Sequence, residues 1–206
     1  MKDIIGIVNC GSGNIYNLKK ILKLLKVKYI IVDSSKKLLK VNRVILPGIG
    51  SFGYAIDRLK KQNIYLDLIK NIKSGIPVLG ICNGMQILFE KSEESPKSKG
   101  LSILKGTVVK INCSPSPHIG WSKIFSKDNS LKKLNFLNNF YYFSNSFFCK
   151  IEKSYKNAKF DYFNKNYIAM IIHRNILGVQ FHPELSGEKG KDIINFFLKM
   201  KQKNKK

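Results

Sequence analysis

Cys82 stands in Gly80-Ile81-Cys82-Asn83-Gly84, between an apolar run, Ile76 to Ile81, and the segment Met85 to Glu90. The run reads as a buried strand and the segment as a helix. A strand that turns into a helix through Gly-x-Cys-x-Gly is a nucleophile elbow, with cysteine where serine is more familiar. The turn aims the sulfur out at the carboxyl end of a sheet. It also sets the sulfur at a helix N-terminus, where partial positive charge favours thiolate. The peptide N–H of Asn83 points to where a tetrahedral oxyanion would form. A cysteine beside glycines is also a common packing residue, so the elbow needs a base. One of three histidines supplies it: His182 ends the strand-like run Ile176 to Phe181 and precedes Pro183-Glu184. Glu184 could fix the imidazole tautomer and stabilise imidazolium. Alone, His-Pro-Glu reads as a surface turn. Together with the elbow it predicts a Cys82-His182-Glu184 triad.

The elements that must position these groups follow from periodicity. Ile4 to Val8 reads as a strand followed by a Gly-Ser-Gly turn. Asn14 caps a helix to about Lys26, with Ile15, Leu18, Ile21, Leu22 and Leu25 on one face. Val27 to Val32 and Val41 to Leu46 are further strands, and Gly53 to Gln62 and Tyr65 to Lys73 are helices. This β-α-β order predicts an α/β fold with a mostly parallel central sheet and helices on both faces. The Pro47-Gly48-Ile49-Gly50 loop and Cys82 then both fall at carboxyl ends of strands, where open α/β sheets hold their sites. After a polar loop, Ser95 to Gly100, come shorter β-rich pieces: Gly106 to Ile111, Trp121 to Phe125, Asn139 to Phe143, Ala158 to Tyr162 and Tyr167 to Ile172. They predict a smaller mixed or antiparallel region leading back to the His182 strand. Ser186 to Met200 reads as a final helix with Ile193, Ile194, Phe197 and Leu198 inward.

With 206 residues the chain has enough surface to bury one core and no second. No repeat is present, and no apolar run approaches membrane-span length. Ile4 to Val8 is too short for a signal-peptide core, and a cytoplasmic protein is expected. The cysteines, Cys10, Cys82, Cys113 and Cys149, form no CxxC and no metal spacing. Neither a P-loop nor a dinucleotide fingerprint occurs, so no cofactor and no metal are implied. The formal charge of +24 suggests nucleic acid, but only Arg43, Arg58 and Arg174 are arginines among 37 basic residues. Recognition of phosphates and bases favours arginine forks, and the lysines are spread over every segment. No nucleic-acid partner is therefore expected. The lysine-rich tail, 201–206, reads as solvated and frayed beyond a domain spanning 1–200. His118 reads as structural or interfacial, His173 as an exposed turn beside Arg174, and Tyr141 and Tyr142 as sheet residues. Cys10, Cys113 and Cys149 read as packing residues.

Gly80-Ile81-Cys82-Asn83-Gly84-Met85-Gln86 followed by Gly178-Val179-Gln180-Phe181-His182-Pro183-Glu184 resembles the class I (triad) glutamine amidotransferases. Further segments narrow the likeness: Cys10-Gly11-Ser12-Gly13-Asn14, Leu46-Pro47-Gly48-Ile49-Gly50-Ser51-Phe52, Ser92-Glu93-Glu94, Pro117-His118-Ile119-Gly120-Trp121 and Leu185-Ser186-Gly187. These are similar to the HisH-type glutaminase subunits of imidazole glycerol phosphate synthase, from about residue 3 to residue 198. The resemblance implies the class I amidotransferase fold and hydrolysis of L-glutamine to glutamate and ammonia. Cys82 would form a glutamyl thioester, while His182, oriented by Glu184, moves the protons. Gly48, Ile49 and Gly50 match the oxyanion segment, which would act with the Asn83 N–H. Gln86 matches a residue that holds the substrate, and Asn145, Ser146 and Phe147 match a stretch that grips its amino-acid end. A (β/α)8 cyclase subunit of the HisF type, as heterodimer partner, would receive the ammonia in histidine biosynthesis.

The chain departs from that family where Asn83 replaces leucine, Asn145-Ser146-Phe147 replaces His-Ser-Tyr and Leu185 replaces lysine. The last two changes leave open a paralogue that supplies ammonia for amidination of a surface sugar. Neighbouring genes would separate the two. A catalytically silent interaction subunit belongs to another class, and the intact triad residues argue against it.

Overall fold

The computed structural model describes residues 4–11, 15–48 and 50–202. The turn and cap expected at Ser12, Gly13 and Asn14, the oxyanion residue Ile49 and tail residues 203–206 lie outside them.

In the first half, residues 4–92, the inner strands of the sheet are apolar at nearly every position, as burial on both faces requires. The order is β1 (Ile4–Val8), α1 (Tyr16–Leu24), β2 (Lys28–Val32), α2 (Ser35–Leu38), β3 (Arg43–Leu46), α3 (Phe52–Lys61), α4 (Tyr65–Lys73), β4 (Val78–Ile81), α5 (Asn83–Gln86) and β5 (Lys91–Ser92). The second half runs β6 (Gly106–Lys110), β7 (His118–Phe125), β8 (Phe140–Asn145), β9 (Phe147–Ile151), β10 (Lys156–Tyr162), β11 (Lys165–His173), β12 (Ile176–Val179) and α6 (Gly187–Lys199).

Nine strands form one sheet in the order β2-β1-β3-β4-β12-β11-β10-β7-β8. From β2 to β12 neighbours are parallel, and from β12 to β8 they are antiparallel. The antiparallel strands thus extend the parallel sheet and lead back to the His182 strand, as the sequence suggested. A second, three-stranded sheet, β5-β6-β9, lies apart.

Alternation along the parallel strands divides the core between the two faces. Ile5, Ile7, Ile45, Leu79 and Ile81 pack with Leu18 and Leu22 of α1 and with Ile193, Ile194 and Phe197 of α6. Val8, Val44, Leu46 and Val78 pack with Phe52, Ile56 and Leu59 of α3 and with Leu68 and Ile72 of α4.

Three expectations need correction. The helix expected over Met85 to Glu90 is a single turn that ends at Gln86. The segment 100–104 stops it: Leu101 N–H takes the Ile87 carbonyl, Ser102 that of Phe89, and Ile103 and Leu104 that of Leu88. A continuing helix would need those acceptors. His173 is not an exposed turn. It is the half-buried last residue of β11, paired with Ile176, with its ring 4.9 Å from that of Tyr155. Arg174, at φ 53°, makes the turn. Strand β9 was not anticipated, because only Ser146 separates it from β8.

Candidate active site

Strand β4 ends at Ile81, and Cys82 takes φ 48°, ψ −113° as the N-cap of α5. A non-glycine residue there is strained, as nucleophile elbows are. Backbone bonds hold the strain in place. Cys82 N–H donates to the Val179 carbonyl at 2.7 Å, and the Cys82 carbonyl accepts from Met85 N–H at 3.0 Å and Gln86 N–H at 3.1 Å. Gly84 allows the turn to press on the Leu46 carbonyl, where a side chain would overlap it. Gly48 does the same beneath the nucleophile: a methyl group there would lie 2.6 Å from Cys82 Cβ and 2.5 Å from the Ile81 carbonyl. Cys82 is left 7% exposed, which is shielded yet open to a small substrate. Because α5 has four residues, its dipole is small, and the immediate neighbours matter more to the sulfur.

The register Val179↔Ile81 aligns the ends of β12 and β4. His182 follows three residues beyond Val179, held by its N–H to the Tyr142 carbonyl at 2.8 Å and by Ser186 Oγ, which donates to its carbonyl at 2.6 Å. The 3₁₀ turn Pro183–Leu185 folds Glu184 back under the ring, with Nδ1 and Oε1 2.8 Å apart. The other ring nitrogen is then the one available to Cys82. Burial opposes charge on this imidazole, but its contacts with the Cys82 sulfur and the Glu184 carboxylate outweigh that and push its pKa up to about 10. These contacts favour the protonated ring, and a sulfur, an imidazole and an orienting carboxylate meet at one point.

Around the sulfur, Gln180 Nε2 donates to Cys82 Sγ at 3.5 Å, and the thiol faces the Ser144 carbonyl at 3.9 Å. Gln86, buried, donates to Gln180 Oε1 at 3.1 Å and to the Phe147 carbonyl at 3.0 Å. Asn145 Nδ2 donates to the same carbonyl at 2.9 Å, while its Oδ1 is buried with no partner among the described residues. The Ser146 carbonyl accepts from Ile111 N–H. Of the predicted site residues, Cys82, His182 and Glu184 converge, and Gln86, Asn145 and Phe147 adjoin them through Gln180. Ser146 enters through its backbone.

Of the residues expected to form the oxyanion site, Gly48, Gly50 and Asn83 lie among the described residues. Gly48 underlies Cys82, and Gly50 has φ +78° against the Tyr54 ring. Asn83 opens α5, and its side chain donates to the Ser51 carbonyl at 3.2 Å, tying the elbow to the end of the Pro-Gly-x-Gly loop. Glu94 and Ser95 fix that end from the other side by accepting from Phe52 N–H and Gly53 N–H at the start of α3.

Sequence reasoning missed Gln180, Ser186 and the capping role of Glu94. Gln180 left a signal: it is the one polar residue in the apolar run Ile176 to Phe181, and it is fully buried. Two of the other cysteines, Cys10 and Cys149, are buried and poorly placed to ionise. Burial pushes the Cys10 thiol up to about 12 and the Cys149 thiol well up. His118 is structural, stacked on Phe143 and Phe160 and beside Tyr162, with burial lowering its pKa.

The family profile "Glutamine amidotransferase class-I" matches residues 6–200. The chain belongs to the class-I glutamine amidotransferases. Curated relatives include two named "Imidazole glycerol phosphate synthase subunit HisH". That from Pyrococcus furiosus is 39% identical over 96% of this chain and 100% of its own length. The one from Prochlorococcus marinus is 36% identical over 95% and 97%. A solved glutamine amidotransferase superposes with a TM-score of 0.78 over 95% of this chain and 97% of its own, at 16% identity, which bears on the fold alone. The ends of β4 and β12 bring Cys82, His182 and Glu184 together at one end of the sheet.

Proposed function

We propose that this amidotransferase is the HisH-type glutaminase subunit of an imidazole glycerol phosphate synthase. The observation that carries the chemistry is the convergence of Cys82, His182 and Glu184 at the ends of β4 and β12. Cys82 thiolate attacks the glutamine side-chain carbonyl, and the oxyanion meets the Asn83 N–H and the Gly48–Gly50 segment. His182 gives its proton to the leaving ammonia, and a glutamyl thioester remains. The now neutral imidazole takes a proton from water, whose attack releases glutamate. Glu184 keeps the ring oriented throughout. Asn145 Oδ1 is an acceptor of the kind that the substrate α-ammonium needs, and the Phe147 segment frames that end.

Full-length identity to HisH relatives supports the histidine-pathway reading over sugar amidination. A HisF-type cyclase is the proposed partner. Exposed Ile119, Trp121 and Phe140 share one face of β7 and β8 with Tyr142, and Leu185 is exposed beside the catalytic turn. Such an apolar strip next to the site suits a subunit that collects ammonia. Among the described residues no helix is long and apolar enough to cross a membrane; a cytoplasmic protein without a nucleic-acid role is the proposed setting. The amidotransferase domain is proposed to span 1–200, with 201–206 a basic tail. Ammonia release from glutamine, alone and with a HisF-type partner and its nucleotide ligand, tests the assignment. Stimulation by that partner is expected. Activity indifferent to it would return the sugar-amidination reading.

A further inference from the structure

We infer that Gln180 is a further member of the catalytic machinery, donating its amide N–H to the Cys82 sulfur in an orientation imposed by the Phe147 carbonyl through Gln86. The inference rests on the reading of Cys82 as nucleophile.

Three hydrogen bonds in series carry it. Gln86 Nε2 lies 3.0 Å from the Phe147 carbonyl, an obligatory acceptor. A Gln86 amide turned the other way would set oxygen against oxygen, so its NH₂ must face that carbonyl. The same NH₂ reaches Gln180 Oε1 at 3.1 Å. Gln180 thereby has its oxygen engaged, and only its NH₂ can face the sulfur, at 3.5 Å. The amide assignments are fixed by a backbone group and not chosen freely. Gln180 is fully buried and Gln86 nearly so, which makes a misdirected amide costly.

The chemical need is visible at the sulfur. The Ser144 carbonyl at 3.9 Å is an acceptor and suits the thiol. A thiolate there requires a donor to offset that oxygen, and the Gln180 amide is that donor, alongside the His182 imidazolium. Hydrogen bonds to charged groups are among the stronger ones. The relay also runs from the segment proposed to hold the substrate, since Asn145 shares the Phe147 carbonyl.

The test is alkylation of Cys82 by iodoacetamide, read peptide by peptide by mass spectrometry, at pH 6 and pH 9. Iodoacetamide needs no glutamine site, and the half-buried Cys113 in the same samples reports on the fold. In Gln180→Met, which keeps length and removes the donor, Cys82 labelling should slow about tenfold at pH 6 and much less at pH 9. Gln86→Met should produce the same pH-selective loss by releasing the Gln180 amide, which covers the case of a Gln180 variant that does not fold. Unchanged labelling at pH 6 in a folded variant, or equal slowing at both pH values, would overturn the proposal. Failure of the nucleophile reading shows itself separately, as wild-type ammonia release that survives Cys82→Ala.

Discussion

Cys82 donates its peptide N–H to the Val179 carbonyl at 2.7 Å, three residues before His182 on the neighbouring strand. Cys82 and His182, the proposed nucleophile and base, are thus brought together by the sheet. That inter-strand bond is one of three backbone bonds that hold the strained Cys82, and the parallel pairing of β4 with β12 keeps His182 in reach.

Removing the triad should abolish turnover in unequal steps. Cys82→Ala and His182→Ala are each expected to lower kcat for glutamine hydrolysis by about 10⁴-fold or more, and the double variant by little beyond that. Glu184→Gln keeps the ring in place but loses the charge that favours imidazolium, and a smaller loss follows. Steady-state ammonia assays with the partner present measure all four.

The His182 proton links the site to stability. Its pKa rises from 6.5 in the unfolded chain to about 10 in the fold, so the folded state holds the proton more tightly. The stabilisation is complete below about pH 6.5 and is lost as pH rises towards about 10. Thermal melts of the wild type and of His182→Gln should differ most near pH 6 and converge by pH 10. A gap that widens with pH would refute the sign.

Close packing under the elbow predicts intolerance of a single methyl group. Gly48→Ala would press on Cys82 Cβ and the Ile81 carbonyl, neither of them the end of a flexible side chain. A loss of about 1–3 kcal/mol is expected, together with a large drop in Cys82 labelling. Urea unfolding and iodoacetamide kinetics read the two effects.

Asn83 separates backbone from side chain. Asn83→Leu retains the N–H proposed for the oxyanion and removes the bond to the Ser51 carbonyl. Turnover should stay within about tenfold while stability falls by about 1 kcal/mol. Loss of all activity would assign the role to the side chain.

The apolar strip predicts a partner effect without a chemical one. Trp121→Ala, 55% exposed in the free chain, should leave basal glutaminase intact and weaken stimulation by a HisF-type subunit, as titration of the partner would show.

Much of this was legible in the sequence. The meeting of Cys82, His182 and Glu184 could be read because Cys82 and His182 each follow a short apolar run of strand length, and because Gly80, Gly84 and Pro183 mark the turns. The parallel half was readable for the same reason. Other features depend on contacts distant in sequence. Helix α5 is cut short by residues 100–104 taking its acceptors, which no local pattern announces. Strand β9 hides because the chain changes sheets at Ser146 without a glycine or proline to mark it. His173 looked exposed beside a cation, yet pairing with Ile176 draws it into β11. Gln180 was overlooked inside a recognised motif, where its polarity within a buried strand was the available clue.

The most direct test is ammonia release from glutamine by the chain with a HisF-type partner and its nucleotide ligand, repeated with Cys82→Ala. The account predicts release that rises strongly with that partner and vanishes in the variant. Release that persists without the Cys82 sulfur would contradict it.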